Sequence, residues 1–483
     1  MHGVHTVEEV RAAEESVLER TADGALMLRA ATGLARTCAQ ILTVHRGGVY
    51  GSYVVVLAGT GNNGGDALLA GAALAKRGAK VVGVPAGSRM HETAVRALLR
   101  AGGQVIDIAE VGGAIERADL VVDGILGIGG KGGLRDPAAG LAELSTASEA
   151  IVVAVDLPSG VDAATGAAGD SAIWADVTVT FGLMKPGLLL SPGSMHVGLL
   201  ELVDIGLADD VVVPSITCLY ASDVAALMPQ PGPLDHKYTQ GVTGVAAGSG
   251  RYPGAAVLTV SGALHTKAGL VRYVGSAAES VVNAWPSAIV STGSIADAGR
   301  VQAWAVGPGL GVDADAQQRL AEVLAAEVPV VVDADGLTLL ADSPELLRSR
   351  SSPTVLTPHA REFARLGPDL DAAKDPLAAV RTLAARLRCT VLLKGATTVV
   401  ADADGQVRLN LTGTPWLAAG GTGDVLTGVI ASLLAGGVPP FDAASGGAFL
   451  HGLAGRLAAD GAPTTSAVVA EAIPDAIRAV TRP

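Results

Sequence analysis

The chain has 483 residues, enough for more than one domain. Its 49% hydrophobic content, 17% charged content and 63 glycines suit an α/β enzyme built on tight strand–loop–helix turns. A net charge of −13 excludes a broad nucleic-acid face, since phosphate binding needs a basic surface.

Cys38, Cys218 and Cys389 are too scattered for a zinc spacing or a disulfide framework. The opening MHGVHTVEEV has no apolar core, so no secretory signal is expected. The longest uncharged run, 425–441, is broken by Gly436-Gly437 and Pro439-Pro440. It reads as a buried helix and a turn rather than a membrane span. The expected location is the cytoplasm.

Thr6-Val7-Glu8-Glu9 fits a capping box that opens a helix. A second helix is predicted over 25–42. Residues 53–58, YVVVLA, read as a strand buried on both faces. This strand runs straight into a Gly-rich turn and a helix. Gly59, Gly61 and Gly64 satisfy G-x-G-x-x-G, but the acid expected about 20 residues on to grip a ribose is missing. The sequence therefore does not describe an ordinary dehydrogenase. Instead Asn62, Asn63, Gly64, Gly65 and Asp66 offer amides and a carboxylate at a strand end. An Asn-Gly turn capped by Asp is the plainer reading.

Strands are predicted at 80–85, 119–125 and 151–155. The loop Gly127, Ile128, Gly129, Gly130, Lys131, Gly132 and Gly133 can close over a ligand, with Lys131 near a phosphate; a solvated surface loop is the alternative. Asp123 and the run Asp156-Leu157-Pro158-Ser159 each follow a strand. In a parallel sheet these ends converge on one crevice. Asn63, Asp123 and Ser159 supply hard oxygen ligands, which leaves Asp156 as acid/base. Residues 181–191 and 198–205 are expected to complete the sheet. Lys185 is either a charge partner of the site or a surface lysine.

The Pro/Gly-rich stretch 228–241 reads as a linker or an ordered loop into a second domain. Strands at 241–247, 303–306, 328–332, 354–356 and 390–393 end in glycine, hydroxyl or charge. That is the pattern of a large ligand lying across a parallel sheet. Lys394, Gly395, Ala396, Thr397 and Thr398 suit nucleotide phosphates, although no P-loop is present. His359 is a candidate hydrogen-bond partner for a ligand or a structural residue. Gly420, Gly421, Thr422 and Gly423 lead into Asp424 and a long apolar helix. The free N–H groups of a helix's first turn receive anions. A carboxylate placed there repels phosphate, so Asp424 fits a base that takes a hydroxyl proton. A simple N-cap is the alternative.

The order GNNGGD, D-G-x-L-G, V-D-x-P-S-G and K-P-G resembles the NAD(P)H-hydrate epimerase domain. The later order G-A-A, G-P-G-L-G, D-A-D-G-L, T-P-H, K-G-A-T-T and G-G-T-G-D resembles the ribokinase-like ADP-dependent NAD(P)H-hydrate dehydratases. Together the halves resemble the bifunctional NAD(P)H-hydrate repair enzyme family. The resemblance implies two three-layer αβα domains: a Rossmann-like epimerase over 1–218 and a ribokinase-like dehydratase over 219–483. The first would interconvert the R and S hydrates, with Asp156 as acid/base. Asn62 to Asp66 and Gly127 to Gly133 would hold the substrate, and Asn63, Asp123 and Ser159 would bind potassium. The second would dehydrate the S form with ADP, giving AMP and phosphate. There Lys394 to Thr398 and Gly420 to Gly423 would bind ADP, with magnesium as a further cofactor. Ala255, Gly309, His359 and Asp424 would contact the hydrate.

The expected partners are the hydrates and ADP, with self-association into a homo-oligomer and no membrane partner. Two departures stand out: Arg361 follows Thr357-Pro358-His359-Ala360 where the family carries glycine, and Ala67 follows GNNGGD. Other readings are a ribokinase-type small-molecule kinase using ATP and a nucleotide-responsive binding protein.

Overall fold

In the computed structural model, which describes residues 1–130, 132–207, 214–228, 231–348 and 350–482, the chain divides into two units. One is Gly3–Pro214; the other is Ser215–Pro483 with Met1 and His2. The division falls after residue 214 rather than 218, because Ile216–Cys218 pairs in parallel with Val407–Asn410. The stretch 228–241 thus lies inside the second unit.

The first unit holds β1 (Tyr53–Ala58), β2 (Lys80–Pro85), β3 (Gln104–Val105), β4 (Leu120–Gly124), β5 (Ile151–Val155), β6 (Val177–Phe181) and β7 (Leu199–Val203). Their order is β3-β2-β1-β4-β5-β6-β7, and every neighbouring pair is parallel. Alternate side chains of β1 enter opposite cores. Val54 and Val56 pack with residues of α1 (Val7–Leu18), α2 (Ala25–Arg46) and α3 (Asn62–Lys76). Val55 and Leu57 pack with Ala114 and Leu141 on the other face. Burial on both faces explains the unbroken apolar text. The capping box at α1 is formed as expected, with Glu9 N donating to Thr6 Oγ1 and Thr6 N to Glu9 Oε2.

Residues 181–191 do not form a strand. β6 ends at Phe181, Gly182 turns with φ +65°, and Pro186–Leu188 is a short 3-10 helix. Pro186 has no N–H for a ladder, so an apolar run around it cannot enter the sheet. Strand order reverses between β1 and β4, which opens a crevice beyond their C-terminal ends.

The second unit holds β8 (Ile216–Cys218), β9 (Val242–Ala246), β10 (Leu270–Val274), β11 (Ile289–Ser291), β12 (Ala303–Val306), β13 (Val330–Val332), β14 (Thr354–Leu356), β15 (Thr390–Leu393), β16 (Thr398–Ala401) and β17 (Val407–Asn410). They run in the order β8-β17-β16-β15-β14-β13-β12-β9-β10-β11. Only β16 is reversed, being antiparallel to both neighbours. The sequence did not announce the β16–β17 hairpin, because Thr397 and Thr398 read as a ligand loop.

Four helices, α4 (Pro253–Thr266), α5 (Thr422–Ala435), α6 (Pro440–Ala459) and α7 (Ser466–Thr481), cover one face of this sheet. Helices 314–325 and 376–387 bury Leu320, Val323, Val380 and Leu383 on the other. Glycine sets how closely α4 and α5 pack. A Cβ on Gly428 would lie 2.0 Å from Thr259 O, and one on Gly262 would lie 2.2 Å from Val425 O. Leu258 reaches Gly421 at one end, and Lys267 N donates to Ser432 Oγ at the other. The two helices therefore run in the same direction, with their N-termini at the same end. Among the described residues no helix is long and apolar enough to cross a membrane.

Candidate active sites

In the first unit the ends of β1, β4 and β5 lie side by side, so the three polar strand ends gather as the parallel sheet requires. Asn62 to Asp66 open α3. A Cβ on Gly64 would lie 2.3 Å from Gly59 O, which ties the helix start to the turn. The 127–133 loop approaches the same helix, since a Cβ on Gly127 would lie 2.9 Å from Asn63 Oδ1. Lys131 lies outside the described residues.

Asp156 follows β5 with φ +67°, an unfavourable conformation for a side chain other than glycine. Such strain costs on the order of 1–3 kcal/mol and persists where surroundings over-determine it. The surroundings here are Lys185 and Thr180. Lys185 is 1% exposed, and its Nζ donates to Asp156 Oδ1 at 2.7 Å, to Thr180 Oγ1 at 2.9 Å and to Phe181 O at 2.9 Å. Thr180 Oγ1 also donates to Asp156 Oδ1, at 3.1 Å. Lys185 is thus the charge partner of Asp156 and no surface lysine.

Two further acids feel this centre. Burial, then the charges of Asp156 and Glu14, pushes Asp66 up to about 8. Asp66 Oδ1 is buried without a partner. Glu14 on α1 is also raised, by burial first and then by Asp156. No motif pointed to Glu14, because an acid on an amphipathic helix reads as surface. An ion-paired carboxylate within electrostatic reach of a protonated one separates base from acid roles.

Asp123 is fully buried. Its oxygens accept from Ser159 N at 2.8 Å, Ser159 Oγ at 2.6 Å and Ile125 N at 3.2 Å. Among the described residues no lysine or arginine pairs with it, and burial pushes it up to about 6. Asn63 Nδ2 is buried without a partner. A buried carboxylate lacking a counter-charge, a hydroxyl and an unsatisfied amide suit a hard cation.

In the second unit Asp333, after β13, connects the site. Its Oδ1 accepts from Lys394 Nζ at 2.6 Å and its Oδ2 from Thr427 Oγ1 at 2.7 Å. Thr427 lies on α5, one turn beyond Gly423, so the pair fixes the lysine beneath the head of that helix. A Cβ on Gly423 would lie 3.5 Å from Lys394 Nζ. Burial acts to lower Lys394, but Asp333 and Glu362 outweigh it and the ammonium is held charged. Burial first, then Asp333, pushes Asp424 up to about 7; Lys394 opposes the shift and Asp335 adds to it. Gly421, at φ +85°, is the N-cap of α5. Free N–H groups, a fixed ammonium and a carboxylate titrating near neutrality therefore meet at one helix end.

A cavity of about 530 Å³ opens there, within the range for small ligands. Its walls include His359, Lys394, Gly395, Ala396, Thr398, Thr422, Gly423 and His451. Thr397, Gly420, Gly421 and Asp424 are not among its lining residues. Ala255 and Gly309 meet, since a Cβ on Gly309 would lie 2.7 Å from the Ala255 Cβ. His359 caps the helix 360–366 through Nδ1, which accepts from Arg361 N and Glu362 N. Its Nε2 lies 3.5 Å from Glu362 Oε1. Arg361 is exposed and its backbone makes the cap bond, so the capping role places no demand on its side chain.

Two family models match the chain. One described as the YjeF-related protein N-terminus covers residues 23–187, and one described as NAD(P)H-hydrate dehydratase covers 243–478. A bifunctional NAD(P)H-hydrate repair enzyme of Mycobacterium leprae is 48% identical over 460 residues, 95% of this chain and 94% of that one. One from Corynebacterium glutamicum is 35% identical over 569 aligned positions, covering 99% and 98%.

The chain belongs to the bifunctional NAD(P)H-hydrate repair enzyme family.

The chain's second unit also resembles a solved ADP/ATP-dependent NAD(P)H-hydrate dehydratase from Bacillus subtilis, co-crystallised with ATP and Mg²⁺. That structure is 29% identical with a TM-score of 0.50, covering 55% of this chain and 98% of that one. A ribokinase-like superfamily protein of Enterococcus faecalis is 27% identical with a TM-score of 0.52, covering 56% and 99%. The two units are accordingly Rossmann-like and ribokinase-like αβα domains. Glu14 precedes the matched N-terminal model, while Asp333, Lys394, Asp424 and His451 fall inside the second.

Asp333 carries a pH prediction. With Asp424 as the expected base, which must be deprotonated to act, dehydration should fall as pH drops through about 7. Asp333→Asn removes a charge that raises Asp424 and leaves the opposing Lys394 in place. The acid limb of the kcat/KM profile should then move down by roughly one pH unit. An unmoved limb would detach Asp333 from the tuning of Asp424.

Proposed function

We propose that the chain repairs hydrated NADH and NADPH with two sites. Residues 3–214 interconvert the R and S hydrates, and residues 215–483 dehydrate the S form at the expense of ADP. One observation supports this most: Asp424 stands at the head of α5, where the fixed Lys394 ammonium and free backbone N–H groups meet. That is a phosphoryl-transfer site with a base beside it.

Hydroxide is a poor leaving group, and phosphorylation improves it. Asp424 takes the proton of the hydrate's hydroxyl. The oxygen attacks the terminal phosphorus of ADP, and the bond from that phosphorus to the bridging oxygen breaks to release AMP. The new bond is between that oxygen and phosphorus; the hydrate's own C–O bond then breaks, and its electron pair leaves with the phosphate. A proton leaves the neighbouring carbon and the ring double bond returns. The products are AMP, phosphate, a proton and the reduced dinucleotide. Lys394 and the first turn of α5 hold the phosphates; Ala255, Gly309 and His359 contact the hydrate.

In the first unit Asp156, oriented by Lys185 and Thr180, is the base, and protonated Asp66 is the acid. Asn62 to Asp66 and the 127–133 loop hold the substrate. Asn63, Asp123 and Ser159 would hold potassium, which supplies the positive charge that buried Asp123 lacks. Magnesium with the nucleotide, a homo-oligomer and a cytoplasmic location belong to the same reading.

The test mixes the protein with an equilibrated pool of both hydrates and ADP. Absorbance of the reduced nicotinamide should recover fully, with AMP formed in step with each dinucleotide restored. No recovery, together with ATP-dependent phosphorylation of another alcohol to a stable product, would replace this reading with a ribokinase-type kinase.

A further inference from the structure

His451 is a wall of the second-unit cavity whose chemistry the reaction above does not use. It lies on α6, 7% exposed, and lines the cavity. Its ring hydrogen-bonds the Thr422 backbone, a bond that favours the protonated ring, so the ring is the donor. Nε2 is buried and has no partner. Burial nonetheless pushes the imidazole down to about 4, and the Lys394 charge adds to this. At neutral pH the ring is therefore neutral, its one proton is used on Thr422, and Nε2 carries a bare lone pair.

A bare lone pair in a buried wall costs free energy until a donor reaches it. The phosphates of a nucleotide present acceptors only, and they would be repelled. The nucleoside portion presents donors: the ribose hydroxyls and the exocyclic amine of adenine. The neighbouring walls suit that portion better than a phosphate. Leu417, Leu426, Ala448 and Gly452 line the cavity with no polar side-chain atom.

We propose that His451 reads the nucleoside of the bound nucleotide, with Nε2 accepting a hydrogen bond from a donor on the adenosine portion. The inference rests on the ADP site proposed above. It makes His451 a specificity residue: it favours nucleotides that place a donor there and disfavours those that place a carbonyl or nothing.

The test measures Kd by calorimetry for ADP, 2′-deoxy-ADP, 3′-deoxy-ADP and inosine diphosphate. Wild type should lose roughly 3- to 10-fold with the analogue that lacks the donor. A loss with a deoxy analogue assigns the ribose, and a loss with inosine diphosphate assigns the amine. His451→Leu should lose the same factor for ADP but lose nothing more with that analogue. His451→Gln, whose amide oxygen can stand near the Nε2 position, should restore part of the difference, and it also serves if the leucine variant folds poorly. Equal Kd values across the wild-type panel, or losses in His451→Leu that simply multiply with those of the analogue, would overturn the role of His451 while leaving the ADP site intact. Wild-type protein that binds no ADP at all would overturn both.

Discussion

Asp424→Asn should lose dehydration by about 10²- to 10⁴-fold in kcat, the range associated with a positioned general base. The substitution keeps the size of the side chain and removes its ability to take the hydroxyl proton. ADP affinity should hold or improve, because a carboxylate beside a phosphate repels it. Burial first, then the charges of Asp333 and Asp335 working against Lys394, pushes the Asp424 carboxyl up to about 7. The residual rate of the variant should therefore lose the acid limb that wild type shows. Single-turnover assays with the pure S hydrate, paired with ADP calorimetry, separate these effects. A variant that loses ADP binding and kcat together would make Asp424 a structural cap instead of a base.

Asp156→Asn should remove epimerisation by a similar factor, about 10²- to 10⁴-fold. Asparagine can still accept from Lys185 Nζ, so the geometry survives while the base is lost. With the mixed hydrates and ADP, recovery should halt at the S fraction and then creep at the spontaneous rate. Wild-type epimerisation should also fall as pH rises through about 8, where Asp66 gives up its proton. Lys185→Met is harsher. It leaves the Asp156 carboxylate buried with no counter-charge, which costs about 3–5 kcal/mol when a buried pair is broken. Urea unfolding should show that loss, whereas Asp156→Asn should show less of it. Full recovery of the pool by Asp156→Asn would take Asp156 out of the chemistry.

The two variants fail in different places because each site is built in its own unit. In both, the carboxylate proposed as base follows a strand or opens a helix at the carboxyl edge of a parallel sheet. Both carboxylates are set by a lysine from elsewhere in the chain: Lys185 touches Asp156, and Lys394 acts on Asp424. Lysine at such an edge orients the carboxylate in one case and tempers its titration in the other.

Much of this was legible in the chain as text. The strands Tyr53–Ala58, Lys80–Pro85 and Ile151–Val155 have the predicted bounds, because a strand buried on both faces leaves a continuous apolar run, closed here by Gly59, Pro85 and Asp156. Thr6 and Glu9 announced their capping box for the same local reason. The glycines before Asp424 and after Ala58 marked close backbone approaches. Local rules fail where a residue's partner is distant. Reading Thr397 and Thr398 as a ligand loop hid the strands Thr398–Ala401 and Val407–Asn410, which pair with each other across the Asp404-Gly405 turn and with Thr390–Leu393 and Ile216–Cys218 on either side.

Local text therefore carries the order of elements, the glycine turns and the identity of Asp156 and Asp424, since each depends on neighbours within a few positions. It does not carry the surroundings that make those carboxylates reactive. Lys185 is 29 positions from Asp156, Asp333 is 61 from Lys394 and 94 from Thr427, and each pair meets through the packing of parallel strands and helices. Glu14 and the bare Nε2 of His451 were silent in the text, because burial and the loss of water are properties of the folded chain. A titration near 7 at Asp424 or near 8 at Asp66 arises only once the fold has removed water and brought the like charges together.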